Sequence, residues 1–299
     1  MEQHLRADRP VVARRRRFKP APYLLALPGV VWLAVFFVIP IVMTLSVSLQ
    51  TGNVEQGFQF TWHFANYSDA LRLYHVQFVR SIIYGVIVTG ATFVLGYPMA
   101  YWIAFHGGRR KSFYLFLLLL PFFVSFVIRT VAWQFILSDN GILLGPLKDL
   151  HLLPSSFHVL ATSLAVIGGL TYNFLPFMVL PLYVSLERID PELVEAANDL
   201  YASRMRAFLR VVFPLSIPGV FAGVLLTFVP SAADYVNASI LGGTSTTMIG
   251  NIIQTLYLTN NDYPLASALS FVLMAVLIAG VIIYARVLGT ERVYEVAAG

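Results

Sequence analysis

Six long apolar runs constrain this chain more than any other feature of its sequence. Each is long enough to cross the ~30 Å hydrocarbon layer of a bilayer as an α-helix, which takes about 20 residues. Only 12% of the 299 residues are charged, about half the share typical of soluble domains, which excludes a disordered chain. We therefore predict an all-α membrane protein with six transmembrane helices. The predicted spans lie at about 24–48, 80–105, 113–137, 159–186, 214–235 and 265–287.

The distribution of Lys and Arg predicts the topology. Most of these residues fall in the first 22 residues, in the loops after spans two and four, or in the C-terminal tail. By the positive-inside rule these parts are cytoplasmic, and so are both termini. We predict a basic N-terminal segment at 1–22, a transmembrane domain at 23–288 and a tail at 289–299. The arginine run at 14–17 fits a topology signal beside lipid better than a nucleic-acid site, so no nucleic-acid partner is expected.

The motifs of soluble and metal-dependent enzymes are missing from the sequence. It has no cysteine, no GxxxxGK[ST] phosphate loop, no GxSxG elbow and no HExxH pair. We therefore expect that this chain does not hydrolyse nucleotide itself and holds no metal, and an enzyme is disfavoured. Two alternatives stay open at this point: a membrane-embedded enzyme, and a secondary transporter whose acidic relay would have to begin at Asp234.

The segment 187–212, between spans four and five, has the pattern of a short helix pair. Asp190 is a favourable N-cap, and Pro191 suits the first helical position. Ser203 is placed to cap a second short helix that ends before Pro214. Four apolar residues share one face of the first helix, at spacings of three and four. They are Leu193, Ala196, Ala197 and Leu200.

The same segment resembles a signature of the membrane subunits of type I ABC importers, the binding-protein-dependent permeases. Glu195-Ala196-Ala197 is followed at the family's spacing by Tyr201, and then by Val211, Phe213 and Pro214. The sequence departs from the pattern at Tyr201, where the family has glycine. A tyrosine there either holds a left-handed backbone conformation or forces a different turn.

The resemblance implies a type I importer permease fold in which segment 187–212 docks on a separate cytoplasmic ATPase. It also implies a second, homologous permease in a heterodimer, two ATPase copies, an extracytoplasmic binding protein and a bacterial inner-membrane location. No cofactor is expected in this chain, since ATP and Mg²⁺ belong to the ATPase. The residues that the resemblance assigns to coupling are Glu195, Ala196, Ala197, Asp199, Tyr201, Ser203 and Pro214.

Further strings resemble the spermidine/putrescine branch of the family in particular. They are Tyr172 to Met178, Phe228 to Ser231, and Gly250 to Gln254. The implied cargo is a polyamine, whose ammonium groups need carboxylates and aromatic faces. Another small solute or a metal chelate remains an open alternative, because related subclasses share these strings.

Two charged residues are candidates for a substrate pathway. Asp234 is expected near the outer face, about 30 Å along an unbroken helix that starts at Pro214, with Pro230 kinking the helix to turn the carboxylate inward. Arg129 lies inside span three, where an arginine must snorkel or find a partner, and pairing with Asp234 is one hypothesis. The remaining candidates are Tyr172, Asn173 and Tyr235.

Overall fold

The computed structural model describes residues 21–288; the predictions for the rest of segment 1–22 and for the tail lie outside them. Five continuous helices in this range are long and apolar enough to cross a membrane, and one bent helix pair makes a sixth span. The described residues up to Ser46 form one compact unit, and those from Val47 form a second. The helices and strands are α1 (Ala21–Leu33), α2 (Ile39–Ser48), β1 (Gln50–Asn53), β2 (Gly57–Phe60), α3 (Ala65–His106), α4 (Lys111–Leu119), α5 (Phe126–Leu137), α6 (Leu144–Asp149), α7 (Ser163–Glu187), α8 (Pro191–Asp199), α9 (Arg204–Ala207), α10 (Phe213–Ala232), α11 (Val236–Leu241), α12 (Ile249–Leu258) and α13 (Tyr263–Leu288).

The first span joins α1 and α2 through a π-helical turn at Ala34–Val38. It is followed by a small antiparallel hairpin, in which β1 pairs with β2 in the register Gln50 to Phe60. No strand was predicted from the sequence. The hairpin turns on Gly52 and Gly57, which both have positive φ, a conformation that glycine adopts without steric cost.

Helix α3 is much longer than the span predicted at 80–105. It begins at Ala65 and runs for 42 residues, with one non-helical residue, Tyr74, inside it. Its first turns contain the polar residues Asp69, Arg72 and His75. A span predicted from hydropathy therefore leaves these turns out. The helix therefore extends beyond the apolar run that marks its transmembrane part.

Span three is broken rather than continuous. Helix α4 and a short 3₁₀ turn end at Phe123, and α5 begins at Phe126 at an angle of 88°. Val124 and Ser125 are extended, with ψ of 140° and 139°. Pro121 precedes this break and removes a backbone donor, which is a common cause of helix kinks. The prediction of one helix over 113–137 is corrected to two helices joined at Ser125.

Helix α7 begins after Thr162, whose Oγ1 accepts from Ala165 N at 3.4 Å, and ends at Glu187. The chain then makes α8 and turns back into a helix that runs without interruption from Arg204 to Ala232. That helix consists of α9, a π-helical turn at Phe208–Val212, and α10. It ends before residue 235, the predicted end of span five.

The helices α3, α7 and α10 pack together around Met178 of α7. Met178 is fully buried and belongs to a cluster with Leu182, Leu186 and Val212. A Cβ added to Gly223 of α10 would lie 2.7 Å from Met178 Sδ. Glycine at this position lets α10 approach α7 closely, which is how helices associate within a bilayer. We call the end of this bundle at which α7 passes into α8 the coupling end, and the opposite end the far end.

Candidate functional site

Helix α8 at the coupling end starts where the sequence predicts. Asp190 Oδ1 accepts from Glu192 N at 3.0 Å, the hydrogen bond of an N-cap. The buried Ile189 and the partly buried Val194 pack against the cluster around Met178. The segment 187–212 is thereby seated on the helix bundle through these side chains.

Much of the apolar face of α8 is exposed on the described part of the chain. Leu193 is 48% exposed and Leu200 is 82% exposed. Ala196 is also exposed, and Ala197 is half-buried. The acidic side chains Glu195 and Asp199 are exposed on the same short helix. This short helix therefore presents an exposed surface that combines apolar and acidic groups.

Tyr201 holds the left-handed conformation at the end of α8, with φ of +59°. Ala202 N donates to Ala197 O at 3.0 Å, the long-range bond of a Schellman motif. The residue after the helix in this motif is usually glycine, because a Cβ in the left-handed region costs roughly 1–2 kcal/mol. Of the two possibilities raised by the sequence, the chain keeps the turn and strains the tyrosine. The side chain of Tyr201 is 96% exposed.

Ser203 caps α9, since Ser203 Oγ accepts from Arg206 N at 3.4 Å. The second short helix does not end before Pro214, as the sequence predicted, but continues into α10. The π-helical turn precedes Pro214, and its altered hydrogen bonding accommodates a residue that has no N–H. Segment 187–212 is thus one short helix, seated on the bundle through Val194, followed by the first turns of span five.

An ion pair at the coupling end was not predicted. Lys111 Nζ at the start of α4 lies 2.8 and 2.9 Å from the two carboxylate oxygens of Glu187 at the end of α7. The side chains are 27% and 38% exposed. The pair ties the start of span three to the residue from which the coupling segment departs. The sequence places the two charges 76 positions apart, so spacing gives no signal for it.

At the far end, Asp234 lies beyond the end of α10. Asp234 Oδ1 accepts from Asn237 N at 2.8 Å and from Asn237 Nδ2 at 3.3 Å. The side chain is buried. The prediction that Asp234 lies on an unbroken helix is corrected, because α10 ends at Ala232 and the carboxylate caps the start of α11.

Asn237 connects Asp234 to two spans. Asn237 Oδ1 accepts from Asn173 Nδ2 of α7 at 3.0 Å, and Thr130 Oγ1 of α5 lies 3.3 Å from the same oxygen. Asn173 Nδ2 also lies 3.2 Å from Thr130 Oγ1. We call Thr130, Asn173, Asp234 and Asn237 the asparagine cluster; its first, second and fourth members are completely buried. Thr130 and Asn237 were not predicted, and only the Asp-x-x-Asn spacing of a helix start pointed to Asn237.

Arg129 does not pair with Asp234. No ion pair within 4.0 Å joins these two described residues. The Arg129 guanidinium instead lies over the ring of Phe122, 4.2 Å from its centroid, and 5.8 Å from that of Phe126. Its Nε and Nη1 atoms are buried without a hydrogen-bond partner in the described chain. The break in span three creates this arrangement, since Phe122 and Phe126 lie on either side of it.

The two tyrosines predicted for the pathway lie in different surroundings. Tyr172 is half-buried and packs edge-on against Trp133, with 5.3 Å between ring centroids. Tyr235 is 44% exposed and lines an open cleft of about 360 Å³ with Gln254 and Tyr257. The structure therefore links Asn173 to Asp234 through Asn237, and Tyr235 directly follows Asp234 in the chain. Among residues 21–288 no three acidic or histidine side chains gather to hold a metal ion.

The fold is that of a membrane subunit of an ABC importer. A bacterial ABC transporter that imports the acidic polysaccharide alginate matches 90% of this chain and 94% of its own, with a TM-score of 0.69 and 19% sequence identity. The same kind of transporter in complex with an alginate-pentasaccharide-bound periplasmic protein matches with a TM-score of 0.61 and 18% identity.

The sequence comparisons identify the family to which the chain belongs. Residues 93–289 match the family of binding-protein-dependent transport system inner membrane components, and this chain belongs to that family. It is 36% identical to the spermidine/putrescine transport system permease protein PotB of Haemophilus influenzae, over 83% of this chain and 88% of that protein. It is 35% identical to PotB of Escherichia coli K12, over 85% and 93%. The predicted all-α importer permease fold is confirmed, and the chain is a multi-pass inner-membrane transport subunit.

Proposed function

We propose that this chain is a permease subunit of an ATP-driven importer for polyamines such as spermidine and putrescine. The observation that supports the cargo is the 35–36% identity, over more than 80% of the chain, to two permease proteins named for spermidine/putrescine transport. The cationic cargo also fits a far end that carries a carboxylate, Asp234, next to an exposed aromatic ring, Tyr235.

We propose that the coupling segment docks on a separate cytoplasmic ATPase through Glu195, Ala196, Ala197, Asp199, Tyr201 and Ser203. The exposed apolar face of α8 supports this, because a rigid short helix with Leu193 and Leu200 in solvent presents a surface suited to a partner. Pro214, in the first turns of α10, links the docked segment to span five. ATP and Mg²⁺ bind to the two ATPase copies, and this chain holds no cofactor.

The complete importer contains a second, homologous permease and an extracytoplasmic binding protein. A periplasmic protein bound to its cargo accompanies the alginate transporter, which shares this fold. The predicted topology places both termini and the coupling segment on the cytoplasmic side. The cationic residues Arg109, Arg110 and Arg204, all near the coupling end, support this orientation.

The proposed substrate pathway runs along the far end of the bundle. Asp234 offers a negative charge, and Tyr235 and Tyr172 offer aromatic faces. The side-chain amide of Asn173 keeps this region in place. Arg129 is a buried cation beside this region, and its Nε and Nη1 have no hydrogen-bond partner among the described residues.

Uptake into proteoliposomes tests the proposal. The chain is reconstituted with its second permease and ATPase, the binding protein is added outside, and entry of labelled spermidine and putrescine is measured. We expect uptake with ATP inside and none with a non-hydrolysable analogue, whether or not a proton gradient is present. Uptake that follows the proton gradient without ATP would instead favour a secondary transporter. ATP-dependent uptake of a different solute alone would overturn the polyamine cargo.

Docking is tested with Glu195→Arg, measured as co-purification of the ATPase with the permease. We expect at least a tenfold loss, with normal membrane insertion. Glu55→Arg is the matched control, because Glu55 is exposed in the hairpin connection and is remote in sequence from the coupling segment. Equal ATPase recovery in both variants would remove Glu195 from the proposed interface.

A further inference from the structure

The two helices that flank the coupling segment both lead to the asparagine cluster. Helix α7 ends at Glu187, where the segment begins, and carries Asn173 further along toward the far end. The helix from Arg204 to Ala232 begins within the segment, and Asp234 and Asn237 follow its other end. A rigid-body movement of the coupling segment therefore reaches both residues of the Asn173–Asn237 hydrogen bond through these two helices.

The cluster holds α11 against two spans at once. Asn237 lies on α11, Asn173 on α7 and Thr130 on α5. All three side chains are completely buried, and a low local dielectric strengthens hydrogen bonds between them. Gly169, one turn before Asn173, allows this approach, because a Cβ there would lie 2.3 Å from Leu241 Cδ1 and 3.1 Å from Asn237 Oδ1.

The same region leaves complementary groups unpaired. Among residues 21–288, Asn173 Oδ1 is a buried acceptor without a partner, and Arg129 Nε and Nη1 are buried donors without one. Unpaired buried polar atoms are costly, and a cluster that served only to hold the fold would be expected to satisfy them. The unpaired atoms therefore fit a region that has two alternative conformations, of which this structure shows one.

We propose that Thr130, Asn173 and Asn237 form a latch that holds α11 on α5 and α7 in the resting importer and releases it when α7 and α10 move. The inference rests on the proposed docking of the coupling segment on an ATPase. The three residues are positioning residues. They set the place of Asp234 through its two hydrogen bonds to Asn237.

The decisive variant is Thr130→Val, which keeps the shape of the side chain and removes its hydroxyl. Its matched control is Thr171→Val in α7, because Thr171 Oγ1 is buried but makes no hydrogen bond in the described chain. The readout is ATP hydrolysis by the reconstituted complex, with and without loaded binding protein. A weakened latch should raise basal hydrolysis at least threefold and lower cargo moved per ATP, whereas Thr171→Val should leave both unchanged.

A second variant disturbs the packing of the latch without changing a polar group. Gly169→Ala introduces a methyl group between α7 and α11, while Gly168→Ala places one where no atom lies within 4 Å. We expect Gly169→Ala to raise basal hydrolysis as Thr130→Val does, and Gly168→Ala to have no effect. Spin labels can report the distance between α7 and α11 directly, because the chain has no native cysteine.

Three outcomes would overturn the latch. The first is unchanged basal hydrolysis in both Thr130→Val and Gly169→Ala. The second is a loss of complex assembly in both, since a latch is needed for cycling and not for assembly. The third is an equal effect of the control variants. Basal hydrolysis does not depend on the cargo, so the absence of polyamine uptake by the unmodified complex would overturn the proposed cargo without deciding the latch.

Discussion

Asn237 donates its backbone N–H to Asp234 Oδ1 across 2.8 Å, so the carboxylate that was expected to face the pathway also caps the partly buried helix α11. The cap requires an acceptor oxygen but no charge. The structural and the electrostatic contributions of Asp234 can therefore be separated by substitution.

Asp234→Asn should keep the cap and lose the charge. We expect the thermal stability of the purified permease to stay close to that of the parent, while spermidine uptake falls at least tenfold. Asp234→Ala should lower stability as well, by about 1 kcal/mol, because the acceptor is lost. Unchanged uptake in Asp234→Asn would show that the cargo does not use this charge.

Tyr201→Gly should stabilise the permease. Glycine adopts positive φ without steric cost, and relief of the strain outweighs its higher backbone entropy by roughly 0.5–1 kcal/mol. The measurement is the thermal unfolding of the purified permease. Ala202→Gly is the control, because Ala202 does not have a positive φ. This variant should have a melting temperature equal to or lower than that of the parent. A lower melting temperature for Tyr201→Gly would contradict the assignment of strain.

Lys111 and Glu187 should behave as a coupled pair. Lys111→Gln and Glu187→Gln should each cost less than about 1 kcal/mol, since both side chains are partly exposed and screened by solvent. A double-mutant cycle measured by thermal unfolding isolates their interaction. The exchanged pair Lys111→Glu with Glu187→Lys should recover most of the loss. Strict additivity of the two single changes would mean that the pair contributes no stability.

The loop between α5 and α7 should loosen in acid. Lys148 Nζ and His158 Nδ1 hydrogen-bond to Asp139 at 2.9 and 2.8 Å and lower the pKa of its carboxyl group. A lowered pKa in the folded state adds stability above the carboxyl group's ordinary pKa, and this stability is lost as the pH falls through the lowered value. Hydrogen exchange of residues 144–158 should therefore speed up severalfold in acid once the intrinsic rate is corrected.

Asp139→Asn should produce the same loosening at neutral pH, with the rest of the bundle unaffected. Asp149→Asn is the comparison, because no described ion pair involves Asp149. Equal exchange in the two variants would show that the Asp139 contacts do not order the loop.

Local patterns in the sequence predicted local structure well. The cap at Asp190 and the family pattern at Glu195 located α8, because both depend on neighbouring residues. The break at Ser125 was missed, since 113–137 is apolar enough on average to span a bilayer and hydropathy does not report helix direction. The polar start of α3 was missed because hydropathy marks the bilayer and not the helix.

The long-range contacts of the far end could not be predicted from a single sequence. Asn173 and Asn237 are 64 positions apart, and neither belongs to a spacing rule that links one helix to another. The proposed pairing of Arg129 with Asp234 followed the simplest electrostatic argument. It failed because α11 supplies hydrogen bonds to the carboxylate from its own backbone and side chain.

The uninterrupted helix from Arg204 to Ala232 has a geometric consequence. Its 29 residues correspond to about 43 Å at 1.5 Å per residue, so it acts as a long lever arm. A tilt of about 5° around its coupling end carries the other end through about 4 Å. A hydrogen bond is lost well before that distance, so a small angular change at the ATPase is enough to separate the asparagines.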